Sequence, residues 1–127
     1  MTHRKVLVVD DERGVRESIR ILLKGQYDVT LAVNGRDAIA KFPQVRPDVV
    51  LLDLRLGDMH GIEVLQHIKS QDPNVEVILV TAYASLETAR KALHLGAFDY
   101  LTKPYDLHEL QQMVRLGIER REKITLE

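Results

Sequence analysis

Five short aliphatic runs, each followed by a stretch of helical period, constrain this chain more than any other feature. "KVLVV" (5–9), "YDVTLA" (27–32), "DVVLLDL" (48–54), "VEVILVT" (75–81) and "FDYLT" (98–102) read as strands. Between them, residues 13–24 place Val15, Ile19, Leu22 and Leu23 on one stripe, with Gly25 expected to stop the helix. Residues 35–42, after Asn34, read as a helix, and so does "IEVLQHIKS", which aligns Ile62, Leu65 and Ile68. The stretch 85–96 opens on a cap candidate, Ser85, and ends at Gly96. From Asp106 to about Lys123, Leu107, Leu110, Val114 and Ile118 keep helical spacing.

Strand then helix, repeated with short connections, predicts an open α/β sheet, mostly parallel, with helices on both faces. Five strands suit the flavodoxin-like doubly wound order 2-1-3-4-5 with five helices. A chain of 127 residues fits one such domain and can bury a real core. Its formal net charge of −1 gives no electrostatic reason for direct nucleic-acid or membrane binding. The absence of cysteine excludes disulfides, thiolate nucleophiles and thiolate zinc sites. The start reaches Asp10 and Asp11 after five apolar residues, too few for a signal peptide or membrane span, and a cytoplasmic location is expected. The tail "RLGIERREKITLE" is charged and reads as a helix running out of the domain.

Polar residues end the strands at one rim. Asp10 and Asp11 follow the first strand, Asp53 closes the third, Thr81 the fourth, and Lys103 follows the fifth. Each has an ordinary reading alone: a helix cap, a partner for a helix dipole, a solvated charge. All of them at one rim of an α/β sheet, where such folds place their sites, point instead to a shared function.

Two carboxylates about 4 Å apart repel by roughly 4 kcal/mol at an effective dielectric near 20, and here three are expected together. A hard divalent cation with oxygen ligands, Mg²⁺ most naturally, would let them stay ionised. No histidine or cysteine is placed to favour zinc. A magnesium ion beside an ammonium also suits a transferring phosphoryl group, and a carboxylate can then act as nucleophile and form an acyl phosphate. Asp53, on the central strand and flanked by Thr81 and Lys103, is the best candidate for that nucleophile. Gly57 and Gly61 are expected to be turn residues with positive φ, since the chain carries no phosphate-binding glycine loop. His60, His67, His94 and His108 lack ligand spacing and are expected at the surface, His60 beside the site.

The set "VVDDE", "VLLDLRLGDMHG", "VILVTAY" and "GAFDYLTKPYD" resembles the receiver domain of bacterial two-component response regulators, most closely those of NtrC-type transcriptional activators. The resemblance implies a domain over 1–120, with 121–127 a helical extension or the start of a linker to an output domain. It implies that Asp53 takes a phosphoryl group from a sensor histidine kinase. Asp11, Asp53 and the Arg55 main-chain carbonyl would bind Mg²⁺, with Mn²⁺ able to substitute, and Asp10 would act mainly through a bound water. Thr81 would hydrogen-bond a phosphoryl oxygen and Lys103 would pair with the phosphate. The Lys103–Pro104 bond would be cis, which proline alone makes accessible. Thr81 and Tyr100 would switch the surface of the fourth helix, fifth strand and fifth helix, and an activated homodimer is expected. Such a chain catalyses only its own phosphorylation and dephosphorylation.

Rival classes fare worse. A haloacid-dehalogenase-type phosphatase wants an Asp two residues after the nucleophile, and Arg55 stands there. A flavin binder on the same fold wants a hydroxyl- and glycine-rich loop after the first strand, where "DDERG" is acidic. A receiver reduced to a pure interaction module would lack some of the five site residues, and none is missing. Arg55 and Tyr83, each two residues past a site residue, offer no carboxylate or amide to orient an attacking water, so a long-lived phosphorylated state is expected.

Overall fold

A computed structural model describes residues 3–82 and 85–126. The elements run β1 (Lys5–Val9), α1 (Arg13–Leu23), β2 (Asp28–Ala32), α2 (Gly35–Val45), β3 (Val49–Leu52), α3 (Gly61–Gln71), β4 (Glu76–Thr81), α4 (Leu86–His94), β5 (Asp99–Thr102) and α5 (Leu107–Leu126). The strands form one parallel sheet in the order β2-β1-β3-β4-β5, as the alternation predicts.

Side-chain alternation divides the core in two. Leu7, Val9, Val50, Leu52, Val77 and Leu79 face α2, α3 and Ala92 of α4. Val6, Val8, Val49, Leu51, Ile78 and Val80 face Ile19 and Leu23 of α1 and Leu110, Val114 and Ile118 of α5. Burial on both faces is why β1, β3 and β4 read as continuous apolar runs instead of alternating ones.

Several local details depart from the sequence reading. Gly25 does not adopt positive φ; α1 closes through Lys24, whose N–H donates to the Arg20 carbonyl. Gly96, by contrast, has φ +103 after α4, as a helix-ending glycine should. α2 runs through Pro43 to Val45 and is ended by Arg46 in the left-handed region at φ 51. Leu107 is 48% exposed although it sits on the helical stripe of α5. Arg121 and Glu122, expected in the extension, lie against the body: Arg121 contacts Asp48 and Asp72, and Glu122 accepts from Arg4 at 2.9 Å. Among the described residues, no helix is long and apolar enough to cross a membrane.

Candidate functional site

The sheet register brings the predicted residues to one rim. Asp10 donates its N–H to the Ala32 carbonyl at 3.3 Å, and Asp53 donates to Val9 at 3.0 Å, so both leave their strands side by side. Lys103 donates its N–H to the Thr81 carbonyl at 2.9 Å, which carries the chain after β5 onto the end of β4. The Lys103–Pro104 peptide is cis.

The Lys103 ammonium then bridges the two acids. Its Nζ lies 2.8 Å from Asp10 Oδ2 and 2.9 Å from Asp53 Oδ2. The remaining oxygens are also held: Asp10 Oδ1 accepts from the Glu12 N–H at 2.9 Å, and Asp53 Oδ1 accepts from the Arg55 N–H at 3.2 Å. Arg16, which the sequence reading did not single out, donates Nη1 to the Asp10 carbonyl at 2.8 Å and fixes the start of the β1–α1 loop. Asp10, Asp53 and Thr81 are buried, while Asp11 is exposed.

Oxygens of Asp10, Asp11 and Asp53 lie within 4.8 Å of one another. Lys103 pairs with Asp10 and Asp53, and Asp11 adds a third carboxylate beside them, so among the described ion pairs of the cluster the acids outnumber the ammonium. Burial pushes the Asp10 carboxyl above its ordinary value, opposed by Lys103 and by the Glu12 N–H. Burial works against the Lys103 ammonium too, but its bonds to Asp10 and Asp53 outweigh it and hold Lys103 above the ordinary lysine value. An all-oxygen donor set with surplus negative charge and one solvent-facing member fits a hard divalent cation such as Mg²⁺.

Thr81 is fully buried at the end of β4, two residues past Leu79, the partner of Leu52. Tyr100 is half-buried on β5 beside Leu79 and packs against the core cluster on the sheet face covered by α2, α3 and α4. Arg55 is exposed and forms an isolated bridge with His60. Tyr83 lies outside the described residues. His3, His60, His67, His94 and His108 are all exposed. His60 has a further role that its residue type did not advertise: its Nδ1 accepts from the Ile62 N–H at 3.1 Å and caps α3.

The two loop glycines differ. Gly57 has φ +83, as expected. Gly61 does not have positive φ; it is glycine because a Cβ there would overlap the Asp53 carbonyl and lie 2.7 Å from Leu54 Cα. The need is close approach, which holds the start of α3 against the residue that carries the site.

Residues 6–115 match the response regulator receiver domain family. The chain belongs to that family. It is 44% identical over 117 residues to the regulatory protein AtoC of Escherichia coli, covering 91% of this chain and 25% of that protein. The response regulator protein PilR of Pseudomonas aeruginosa is 39% identical over 122 residues, again with only 27% of its length covered. The chain thus spans about a quarter of these relatives, which are regulators of the NtrC type. Sporulation initiation phosphotransferase F of Bacillus subtilis, 37% identical over 116 residues, is covered over 94% of its length. Among solved structures, the signal receiver domain of a putative LuxO repressor from Vibrio parahaemolyticus superposes with a TM-score of 0.92 at 33% identity, covering 98% of this chain and 96% of that one.

Proposed function

We propose that this receiver accepts a phosphoryl group on Asp53 from a phosphohistidine of a sensor histidine kinase. The observation that carries the reading is the place of the Asp53 carboxylate, where Asp10, Asp11 and Lys103 converge. An Asp53 oxygen attacks phosphorus; its electron pair forms the P–O bond as the P–N bond breaks, and the ring nitrogen keeps the other pair. Asp11, Asp53 and the Arg55 main-chain oxygen hold Mg²⁺ or Mn²⁺, with Asp10 acting through a bound water. The cation supplies positive charge against the phosphoryl oxygens. Lys103 turns its ammonium to one phosphoryl oxygen, and the Thr81 hydroxyl donates to another. The chain catalyses only its own phosphorylation and dephosphorylation. With acetyl phosphate and Mg²⁺ the protein should gain one phosphate, and Asp53→Asn or a chelator should prevent it. Labelling that survives Asp53→Asn overturns the assignment.

The same reading places the output on α4, β5 and α5. α4 buries only Ala89 and Ala92, and it leaves Leu86 70% exposed and Leu93 44% exposed. A helix held by two small residues can shift at low cost. Thr81 moves toward the phosphoryl group, Tyr100 turns further inward, and the altered face pairs with a second receiver. A covalently linked output domain beyond Glu127, transcriptional as in the regulatory relatives, reads that change in the cytoplasm; this domain itself binds neither nucleic acid nor membrane. A Tyr100 ring in the same environment with and without a beryllofluoride phosphate mimic would count against the coupling. A sedimentation coefficient unchanged by the mimic would count against pairing.

A further inference from the structure

Asp58 stands in the β3–α3 loop five residues after Asp53, and its carboxylate is spent on another element. Its Oδ1 accepts from the Gly35 N–H and its Oδ2 from the Arg36 N–H, both at 2.9 Å. Those donors open α2, where main-chain N–H groups have no partner within the helix and the helix dipole favours an anion. Asn34, the helix's own cap, takes only the Asp37 N–H, at 2.8 Å. The N–H of Arg36 first, and then those of Gly35, Asp58 and Met59, hold the Asp58 carboxyl below its ordinary value despite some desolvation.

The next residue strengthens the join. Met59 packs against Gly35 so closely that a Cβ on Gly35 would overlap its side chain. Positive φ at Gly57 turns the chain into this contact. At its other end the loop is held by the Asp53 N–H on the Val9 carbonyl, and by the Gly61 N–H on Leu54 at 2.7 Å. Between the anchors lies Arg55, whose N–H holds Asp53 Oδ1.

We propose that Asp58 is a positioning residue for the acidic site. By clasping the first turn of α2 it fixes the path of residues 54–57, and so the Arg55 main-chain oxygen and the Arg55 N–H on Asp53. Cation affinity then depends on two hydrogen bonds made away from the cation. The inference rests on the reading that Asp11, Asp53 and the Arg55 carbonyl hold Mg²⁺.

Calorimetric titration of the 127-residue chain with Mg²⁺ alone, at fixed pH and ionic strength, tests it. Asp58→Ala should weaken binding about tenfold, the lower end of what support for metal ligands is worth. Asp58→Asn removes the same charge but keeps one accepting oxygen, so it should weaken binding clearly less. Asn34→Ala removes a cap from the same helix without touching the loop and should leave affinity within about twofold. In the metal-free protein the Arg55 amide resonance should move in Asp58→Ala and stay in Asn34→Ala. Equal losses in Asp58→Ala and Asp58→Asn would mean that charge alone matters and would overturn the proposal. Equal losses in Asp58→Ala and Asn34→Ala, or no loss in Asp58→Ala, would overturn it as well. A wild type that binds no Mg²⁺ removes the reading of the site itself, a result separable from the others.

Discussion

At the amino rim of the sheet, Arg121 sits between Asp48 and Asp72, with its guanidinium 3.0 and 3.1 Å from the two Asp72 oxygens and 3.6 Å from Asp48. Arg120 lies 3.8 Å from Glu76, and Lys69 donates to the carbonyls of Pro73 and Val75 nearby. Three acids there face three cations. At the carboxyl rim three acids cluster, and the ion pairs seen among the described residues come from Lys103, to Asp10 and Asp53. The first arrangement is a finished structural network that welds the last turns of α5 to the body. The second carries an excess of acid that a cation from solution would complete. Counting acids does not separate the rims; counting their partners does.

Removing Lys103 should break that contrast most. Lys103→Met leaves Asp10 and Asp53 buried side by side without a cation, at a cost of about 3 kcal/mol in metal-free buffer. Saturating Mg²⁺ should restore most of the loss, because the ion supplies the missing positive charge and stabilises the folded state by mass action. Chemical denaturation with and without Mg²⁺ measures both. If the metal recovers nothing, the carboxyl rim is not a cation site.

The matching change at the other rim should cost somewhat less and recover nothing. Arg121→Met removes the bidentate pair with Asp72 and the contact to Asp48, an expected loss of roughly 2 kcal/mol. Recovery with Mg²⁺ equal to that of Lys103→Met would erase the distinction between the rims.

Neutralising one acid at each rim should give opposite signs. Asp10 is held above its ordinary value by burial, so Asp10→Asn should raise metal-free stability. Asp72 is held below its ordinary value: burial opposes its charge, but the Arg121 guanidinium and the Asn74 N–H outweigh it. Its stabilising contribution is present at neutral pH and fades as pH falls through that lowered value. Asp72→Asn should therefore destabilise at pH 7 and lose its effect in strong acid. Denaturation midpoints that shift the same way in both variants would sink this comparison.

The carboxyl rim was legible because its residues interrupt apolar runs. Asp53 after "VVLL" and Thr81 after "VILV" break a pattern that burial on both faces demands. The alternation of strands and helices pointed to the parallel sheet, and the order β2-β1-β3-β4-β5 came from the doubly wound fold that five such strands suit. What stayed hidden depends on partners distant in the chain. Nothing beside Asp58 announces the α2 amides 22 and 23 residues upstream. Arg121 looked like part of a solvated tail because Asp48 and Asp72 meet it only in the folded sheet. Other misses came from residue-type habits. His60 caps a helix where Ser or Asp is usual, Arg46 ends α2 in a conformation usually left to glycine, and Gly61 serves close packing instead of a turn.

Glu76 sharpens the comparison from inside the paired rim, with the smallest expected effect. It is 4% exposed, and burial raises its carboxyl above the ordinary value although Arg120, Lys69 and Arg121 all pull it down. Its main cationic neighbour is a weak one, since Arg120 is 59% exposed and 3.8 Å away. A raised carboxyl favours folding while it is protonated, and that contribution is lost as pH rises through its folded value. The wild type at pH 7 therefore carries a buried charge at a net cost, and Glu76→Gln, which keeps the shape without the charge, avoids it. The variant should match the wild type near pH 4 and become the more stable of the two as pH rises to 7. Equilibrium denaturation at several pH values decides the matter. A variant that loses stability at pH 7 would show that the cations fully compensate Glu76, making the amino rim even more completely paired than its geometry indicates.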